Sequence, residues 1–238
     1  MTGRVEISAD PQHQAEFVAE WLISVMDSAP GNFRLVLSGG NTPRLLYTVL
    51  VQPPFFNRVP WRRLQLFWGD ERFVSHDDPD SNFGMTFATL LRHAPIPPES
   101  VHPIPVDGTP QDAATRYEAT LRAFHERDKA GPLFDVVLLG LGADGHTASL
   151  LPESPVLNEQ EHWVAAVDHG RAQARVTLTY PAIASSRKVA FLVSGAEKQS
   201  AALNAIAGKT ALPAARVRSD GEVIWFLDRA AAGPLHQS

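Results

Sequence analysis

The stretch from Asp135 to Pro152, DVVLLGLGADGHTASLLP, limits the fold of this chain more than any other. Val136, Val137, Leu138 and Leu139 are all apolar, so the run has no polar face to turn toward water. Such a run reads as a strand covered on both sides, the condition of a parallel sheet. It stops at Gly140. Gly142 and Gly145 then frame an Asp144-Gly145-His146 turn, and a short helical stretch is expected from about Thr147. This places a titratable imidazole at the carboxyl end of a strand, beside a helix N-terminus. In open α/β sheets that edge binds ligands. Histidine is also the side chain whose ordinary pKa suits proton transfer near neutral pH.

The rest of the chain repeats the alternation. Glu16 to Met26 carries Phe17, Val18, Trp21, Leu22, Val25 and Met26 at helical spacing, and Pro30-Gly31 ends that helix. Arg34 to Leu37 reads as a strand. Thr42 is the expected cap and Pro43 the expected first residue of a helix running to Leu50. Leu64 to Trp68 is a strand, and Ser81 to Leu91 a helix with Ser81 as its cap. Pro95 to Pro110 is a proline-rich surface connection, and Gln111 to Lys129 a helix. The central strand is expected over 135–142. Further strands are expected at Val176–Thr179, Val189–Val193 and Val223–Leu227, with a helix at Ala196–Ile206 between the last two. Strands alternating with helices predict an α/β fold: an open, mostly parallel, Rossmann-like sheet with helices on both faces. At 238 residues, one domain spanning 1–238 is expected.

Composition removes several classes of function. The chain has no cysteine, so thiolate nucleophiles, disulfides and zinc–cysteine sites are excluded. Its formal net charge of −5, with no basic tract, disfavours nucleic-acid binding. A small anion needs only a few local cations and amides, so it stays open as a ligand. No secretory leader or membrane span is expected, which makes a soluble cytoplasmic protein the expectation. His13, His76, His93, His102, His125, His162, His169 and His236 support no metal-ligand spacing, and HExxH is absent.

Three strands run into loops able to carry chemistry. Ser38-Gly39-Gly40-Asn41-Thr42-Pro43 follows the first. Its glycines allow close backbone approach, the following helix end attracts an anion, and Ser38, Asn41 and Thr42 add neutral donors. It lacks the lysine and spacing of a Walker A loop. Gly69-Asp70-Glu71-Arg72 follows the second, and charged residues in that position need partners if buried. Asp144-Gly145-His146 follows the third. Arg175 and Lys198 are candidate phosphate clamps, Arg in bidentate fashion and Lys as a point charge.

Gly140, Gly142 and Gly145 also spell G-x-G-x-x-G, with Asp168 near the position of a ribose-binding acid. Two features argue against a dinucleotide site. Asp144 would set a carboxylate among the amides that should receive a pyrophosphate, and Pro152 and Pro155 cut the following helix short.

Taken together, Leu37-Ser38-Gly39-Gly40-x-Thr42-Pro43, Trp68-Gly69-Asp70-Glu71-Arg72, Ser81-Asn82, the Gly140 to Pro152 segment and Arg175 to Thr179 resemble the 6-phosphogluconolactonase family in order and spacing. The likeness covers nearly the whole chain. Leu151 departs from it, standing where such lactonases often carry Phe. The resemblance implies hydrolysis of a sugar-phosphate lactone, 6-phospho-D-glucono-1,5-lactone, in the oxidative pentose phosphate pathway, with no metal or organic cofactor. The related glucosamine-6-phosphate deaminases follow the Asp-Gly-His turn with a Phe-Asn-Glu-Pro segment. Here Ser149-Leu150-Leu151-Pro152 brings no carboxylate before Glu153. A non-catalytic sugar-phosphate sensor would need a DNA-binding module, and only one helix fits before Arg34. On this reading His146 takes a proton from water, with Asp144 or Asp70 orienting its ring or holding substrate hydroxyls. Arg72 stabilises the oxyanion. The Ser38–Thr42 loop, Arg175 and Lys198 hold phosphate, and Asn82 and Gly145 belong to the site through the family motif.

Overall fold

The computed structural model of the chain describes residues 3–127, 131–168 and 172–237. The end of the expected helix Gln111–Lys129, His169 and the side chain of His236 lie outside the described residues. The elements run β1 (Arg4–Ser8), α1 (Pro11–Ser28), β2 (Phe33–Leu37), α2 (Asn41–Leu50), β3 (Leu64–Trp68), β4 (Asp70–Arg72), α3 (Asn82–Thr86), β5 (Val101–His102) and α4 (Pro110–Arg127). Then follow β6 (Phe134–Leu139), β7 (Val164–Val167), β8 (Arg175–Leu178), α5 (Tyr180–Ala184), β9 (Ser186–Val193), α6 (Gln199–Ile206), β10 (Glu222–Asp228) and α7 (Arg229–Ala232).

Seven strands form one parallel sheet in the order β1-β10-β9-β6-β2-β3-β5. Every residue of β6 is buried. Side chains of a strand point alternately to both faces, so both faces of the sheet are covered, as the unbroken apolar run predicted. Register partners Phe191 and Trp225 stack with ring centroids 3.8 Å apart, closing the β9–β10 half of the core. The chain moves from β2 outward to β3 and β5, then returns to place β6 on the other side of β2. That reversal is where an open sheet leaves a crevice at its carboxyl edge. Here β2 and β6 pair only at Leu35–Val136 and Val36–Val137, so they part before Leu37. Among the described residues no helix is long and apolar enough to cross a membrane.

Several expectations are corrected. The strand expected at Val176–Thr179 is β8, which lies outside the parallel sheet, in a small antiparallel sheet ordered β4-β8-β7. Residue pattern does not encode strand direction. It is set here by β4, which continues from β3 past the sheet edge and pairs Asp70 with Thr177 and Arg72 with Arg175. The β1, β4, β5 and β7 strands were not expected from the pattern. Helix α2 starts at Asn41 with Gly40 at its cap position, and no side chain caps it. Thr42 therefore sits inside the first turn. Pro43 is tolerated there because the first helical amides have no intrahelical acceptor. The central strand ends at Leu139, before the expected residue 142.

No helix begins at Thr147. Residues 147–150 form a tight turn closed by an antiparallel bridge between Thr147 and Leu150, and Ala148 holds φ at 47°. Thr147 and Ser149 use their hydroxyls on Gly140 O (2.8 Å) and Asp70 Oδ2 (2.6 Å), competing with helix formation. The Ser81 cap is as expected: its Oγ accepts from the Gly84 amide at 3.0 Å. The helix it starts passes into one π-helical turn, Phe87–Leu91.

Candidate active site

A cleft of about 170 Å³ lies over the carboxyl ends of β9, β6, β2 and β3. Ser38, Gly39, Gly40, Asp70, Arg72, Asn82, His146, Arg175 and Lys198 all line it, so three loops that are far apart in sequence converge as the topology predicted. Asn41, Thr42, Asp144 and Gly145 are not on its wall. Asn41 is exposed at the start of α2. Gly145 is buried under Leu212, and its carbonyl accepts from the Ala214 amide at 3.0 Å. Asp144 lies behind His146.

The imidazole is held from that side. His146 Nδ1 meets Asp144 Oδ1 at 2.5 Å, and the His146 amide donates to the same oxygen at 3.2 Å. Gly142 makes room for the pair. A Cβ there would stand 2.0 Å from His146 Nδ1 and 2.5 Å from Asp144 Oδ1. The turn is closed by the Gly142 amide donating to His146 O at 2.8 Å. The histidine side chain keeps 26% of its surface exposed, so it is anchored without being sealed.

Asp70 lines the cleft and is tied into the surrounding loops. It is buried, and its carboxylate does not meet His146. Its Oδ2 accepts from Ser149 Oγ at 2.6 Å and lies 3.9 Å from Arg175 Nη1, while its Oδ1 accepts from Asn82 Nδ2 at 3.2 Å. It thereby ties the His146 turn to α3 and β8. Asn82 links further: its Oδ1 accepts from Arg72 Nη1 at 3.0 Å, and Arg72 Nη1 also donates to Asp80 O at 2.6 Å. Gly39 packs against this amide so closely that a Cβ would come within 1.9 Å of Asn82 Oδ1.

Glu71, its neighbour, was given no role by the sequence. It is 1% exposed and accepts from the amides of Arg72 (2.8 Å), Asn82 (2.7 Å) and Phe83 (2.8 Å) and from Ser81 Oγ (3.1 Å). Burial nevertheless pushes its carboxyl above the ordinary value. Its work is to pin the start of α3 so that Asn82 faces the cleft. Ser149 was also missed, although it stands inside the family motif. Only its contact with Asp70, across 79 residues of chain, reveals its role.

Among the charged residues on the wall, Arg72, Arg175 and Lys198 oppose Asp70, three cations to one carboxylate. The cleft thus favours an anion on a chain whose net charge is −5. Among the described residues no group of three or more histidine or acidic side chains is arranged to hold a metal ion. The G-x-G-x-x-G glycines have no helix behind them to receive a pyrophosphate.

Residues 9–225 match the family described as glucosamine-6-phosphate isomerases/6-phosphogluconolactonase. The 6-phosphogluconolactonase of Synechocystis sp. is 41% identical over 210 residues, 86% of this chain and 85% of that protein. That of Nostoc sp. is 35% identical over 243 residues, covering 99% of each chain. The structure of 6-phosphogluconolactonase from Thermotoga maritima superposes with a TM-score of 0.82 at 29% identity, over 94% of this chain and 99% of its own. A monomeric glucosamine-6-phosphate deaminase superposes with a TM-score of 0.81 at 20% identity, over 96% and 98%, a likeness of fold.

Proposed function

The chain belongs to the glucosamine-6-phosphate isomerase/6-phosphogluconolactonase family, and from that premise we infer that it hydrolyses 6-phospho-D-glucono-1,5-lactone to 6-phospho-D-gluconate in the oxidative pentose phosphate pathway. Its substrate is a small sugar-phosphate lactone. A lactone is an ester, so water can open it without a covalent nucleophile. The reaction then needs a base for the water and a partner for the oxyanion at C1.

The observation that carries the assignment of roles is the Asp144–His146 pair at the mouth of an anion-favouring cleft. His146 takes the proton through Nε2, because Nδ1 is engaged by Asp144. The carboxylate fixes the ring and stabilises the imidazolium that forms, as it does in hydrolytic triads. As the water's oxygen bonds to C1, its proton passes to His146. Collapse of the tetrahedral intermediate then breaks the ring C–O bond, and the imidazolium returns the proton to the departing ring oxygen. Arg72, fixed by Asp80 O and Asn82, stabilises the oxyanion. The 6-phosphate rests on Ser38, Gly39 and Gly40 with Arg175 and Lys198 beside it. Asp70 serves as the buried tie between the loops, and Asp144 as the orienting acid. Glu153, the carboxylate a deaminase-like reaction would have to recruit, is exposed and off the cleft wall.

A coupled assay tests this. Glucose-6-phosphate dehydrogenase generates the lactone, and 6-phosphogluconate dehydrogenase reports its opening at a pH where spontaneous hydrolysis is slow. His146→Ala should lower kcat by about 10²–10⁴-fold with an unchanged fold, the usual contribution of a positioned base. A loss under about tenfold would remove His146 from that role. Ammonia release from glucosamine 6-phosphate would point to the deaminase reaction instead.

A further inference from the structure

Ser38 directly follows the end of β2 and Trp68 is the last residue of the adjacent β3, and each lacks a strand partner on one side. The Leu37 carbonyl accepts from the Gly69 amide at 2.9 Å, on the side of β3. Successive residues of a parallel strand direct their amide and carbonyl to alternate neighbours. The polar groups of Ser38 therefore face β6, from which β2 has already parted. By the same alternation Trp68 faces β5, whose pairing with β3 ends at Phe67–His102.

In both places a tyrosine hydroxyl takes the place of the missing strand. Tyr47 Oη, from α2, accepts from the Ser38 amide at 2.9 Å and donates to the Ser38 carbonyl at 2.9 Å. Tyr117 Oη, from α4, does the same for Trp68, at 2.8 Å and 3.0 Å. Both side chains are 0–1% exposed. A hydroxyl is the side-chain group that can donate and accept from a single atom. Phenylalanine would fill the same space and leave a buried amide and carbonyl without partners.

We propose that Tyr47 is a positioning residue for phosphate binding: its hydroxyl holds the Ser38–Gly40 backbone open toward the cleft in the gap between β2 and β6. Tyr117 holds the other loop, the one that carries Asp70 and Arg72, and so serves as an internal comparison of equal burial and equal hydrogen bonding. Burial pushes both phenols well above their ordinary pKa, so both stay protonated across any working pH. This proposal rests on the lactonase reading and on its placement of the 6-phosphate.

The test compares wild type, Tyr47→Phe and Tyr117→Phe for kcat, KM and inhibition by inorganic phosphate, each below its own melting temperature. Tyr47→Phe should raise KM and the phosphate inhibition constant together by about tenfold, with kcat within about twofold and the pH profile unshifted. Tyr117→Phe should lose similar thermal stability yet leave phosphate inhibition within about twofold of wild type. Should Tyr47→Phe not fold, 3-fluorotyrosine at position 47 keeps the ring and hydroxyl while weakening the oxygen as an acceptor. It should move phosphate inhibition in the same direction by about two- to threefold. Equal shifts in both variants, or a shift in neither, would overturn the positioning role while leaving the enzyme reading intact. A wild type that neither opens the lactone nor is inhibited by phosphate would overturn both.

Discussion

Glu71 carries the sharpest prediction at the scale of a single residue. Burial raises its carboxyl above the ordinary 4.5, against the Phe83, Asn82 and Arg72 amides that pull it down. Folding therefore takes up a proton at Glu71 between pH 4.5 and that raised value. Its contribution to stability is full below that window and is lost as pH rises through it. Glu71→Gln abolishes the titration and turns an amide donor toward the backbone amides it should accept from, costing about 1–3 kcal/mol. In urea unfolding, the gap between wild type and variant should narrow as pH rises above 4.5 through the raised value. A gap that widens would mean that the amide bonds outweigh burial. Asp70 teaches the complementary lesson. A carboxylate two residues from Arg72 in a loop after a strand invites a role in the chemistry, and the fold shows what else it does: its oxygens meet Ser149, Asn82 and Arg175.

At the scale of the element, the His146 turn works because the strand before it stops early. Leu139 ends β6, and the next residues close a turn around Gly142 instead of coiling into a helix. The absence of a helix is what lets Thr147 and Ser149 bond to Gly140 and Asp70. Gly142→Ala should be a sensitive probe of this turn. The added methyl would fall 2.0 Å from His146 Nδ1, so the ring or its aspartate must move. A catalytic group displaced by about 1 Å can cost about 10²-fold, so kcat should fall on that order, while the melting temperature drops only a few degrees. Equal kcat in the two proteins would show that the ring has room the geometry denies it. Here the sequence was partly legible: the glycines, the aspartate and the histidine announced a turn. The helix expected after it was wrong, because nothing local signals that Ser149 has a carboxylate waiting 79 residues upstream.

At the scale of the whole molecule, the cleft exists only in the folded sheet, since its cations arrive from three separate regions. Arg72 leaves β4, Arg175 opens β8, and Lys198 follows β9. A ligand that binds only this native arrangement stabilises the entire chain. At about 100 times its dissociation constant, 6-phosphogluconate should add about 2.7 kcal/mol. That corresponds to a rise in melting temperature of roughly 5–10 °C for a chain of this size. His146→Ala should keep this protection, because the base is needed for chemistry more than for holding product. Lys198→Ala should lose most of it at the same ligand concentration and raise KM with little change in kcat. Scanning calorimetry of the three proteins with and without product decides the point, and protection retained in Lys198→Ala would take that cation out of the phosphate site.

The sequence alone determined the class of fold and the positions of the loops. Apolar runs such as Val136–Leu139 report burial on both faces, and the glycines and polar residues after them report where each strand stops. These are local properties, set by side-chain solvation and backbone freedom within a few residues. It also sufficed to choose most of the cleft wall, because a doubly wound parallel sheet brings strand ends together on one edge. What only the tertiary structure decided was partnership. Asp144 holds the imidazole and Asp70 does not; β8 runs antiparallel outside the main sheet; Tyr47 and Tyr117 stand in for absent strands. Each depends on a hydrogen bond or strand pairing formed across the fold. Such a bond's net worth turns on which buried group would otherwise be left unsatisfied, and no window of sequence contains that information.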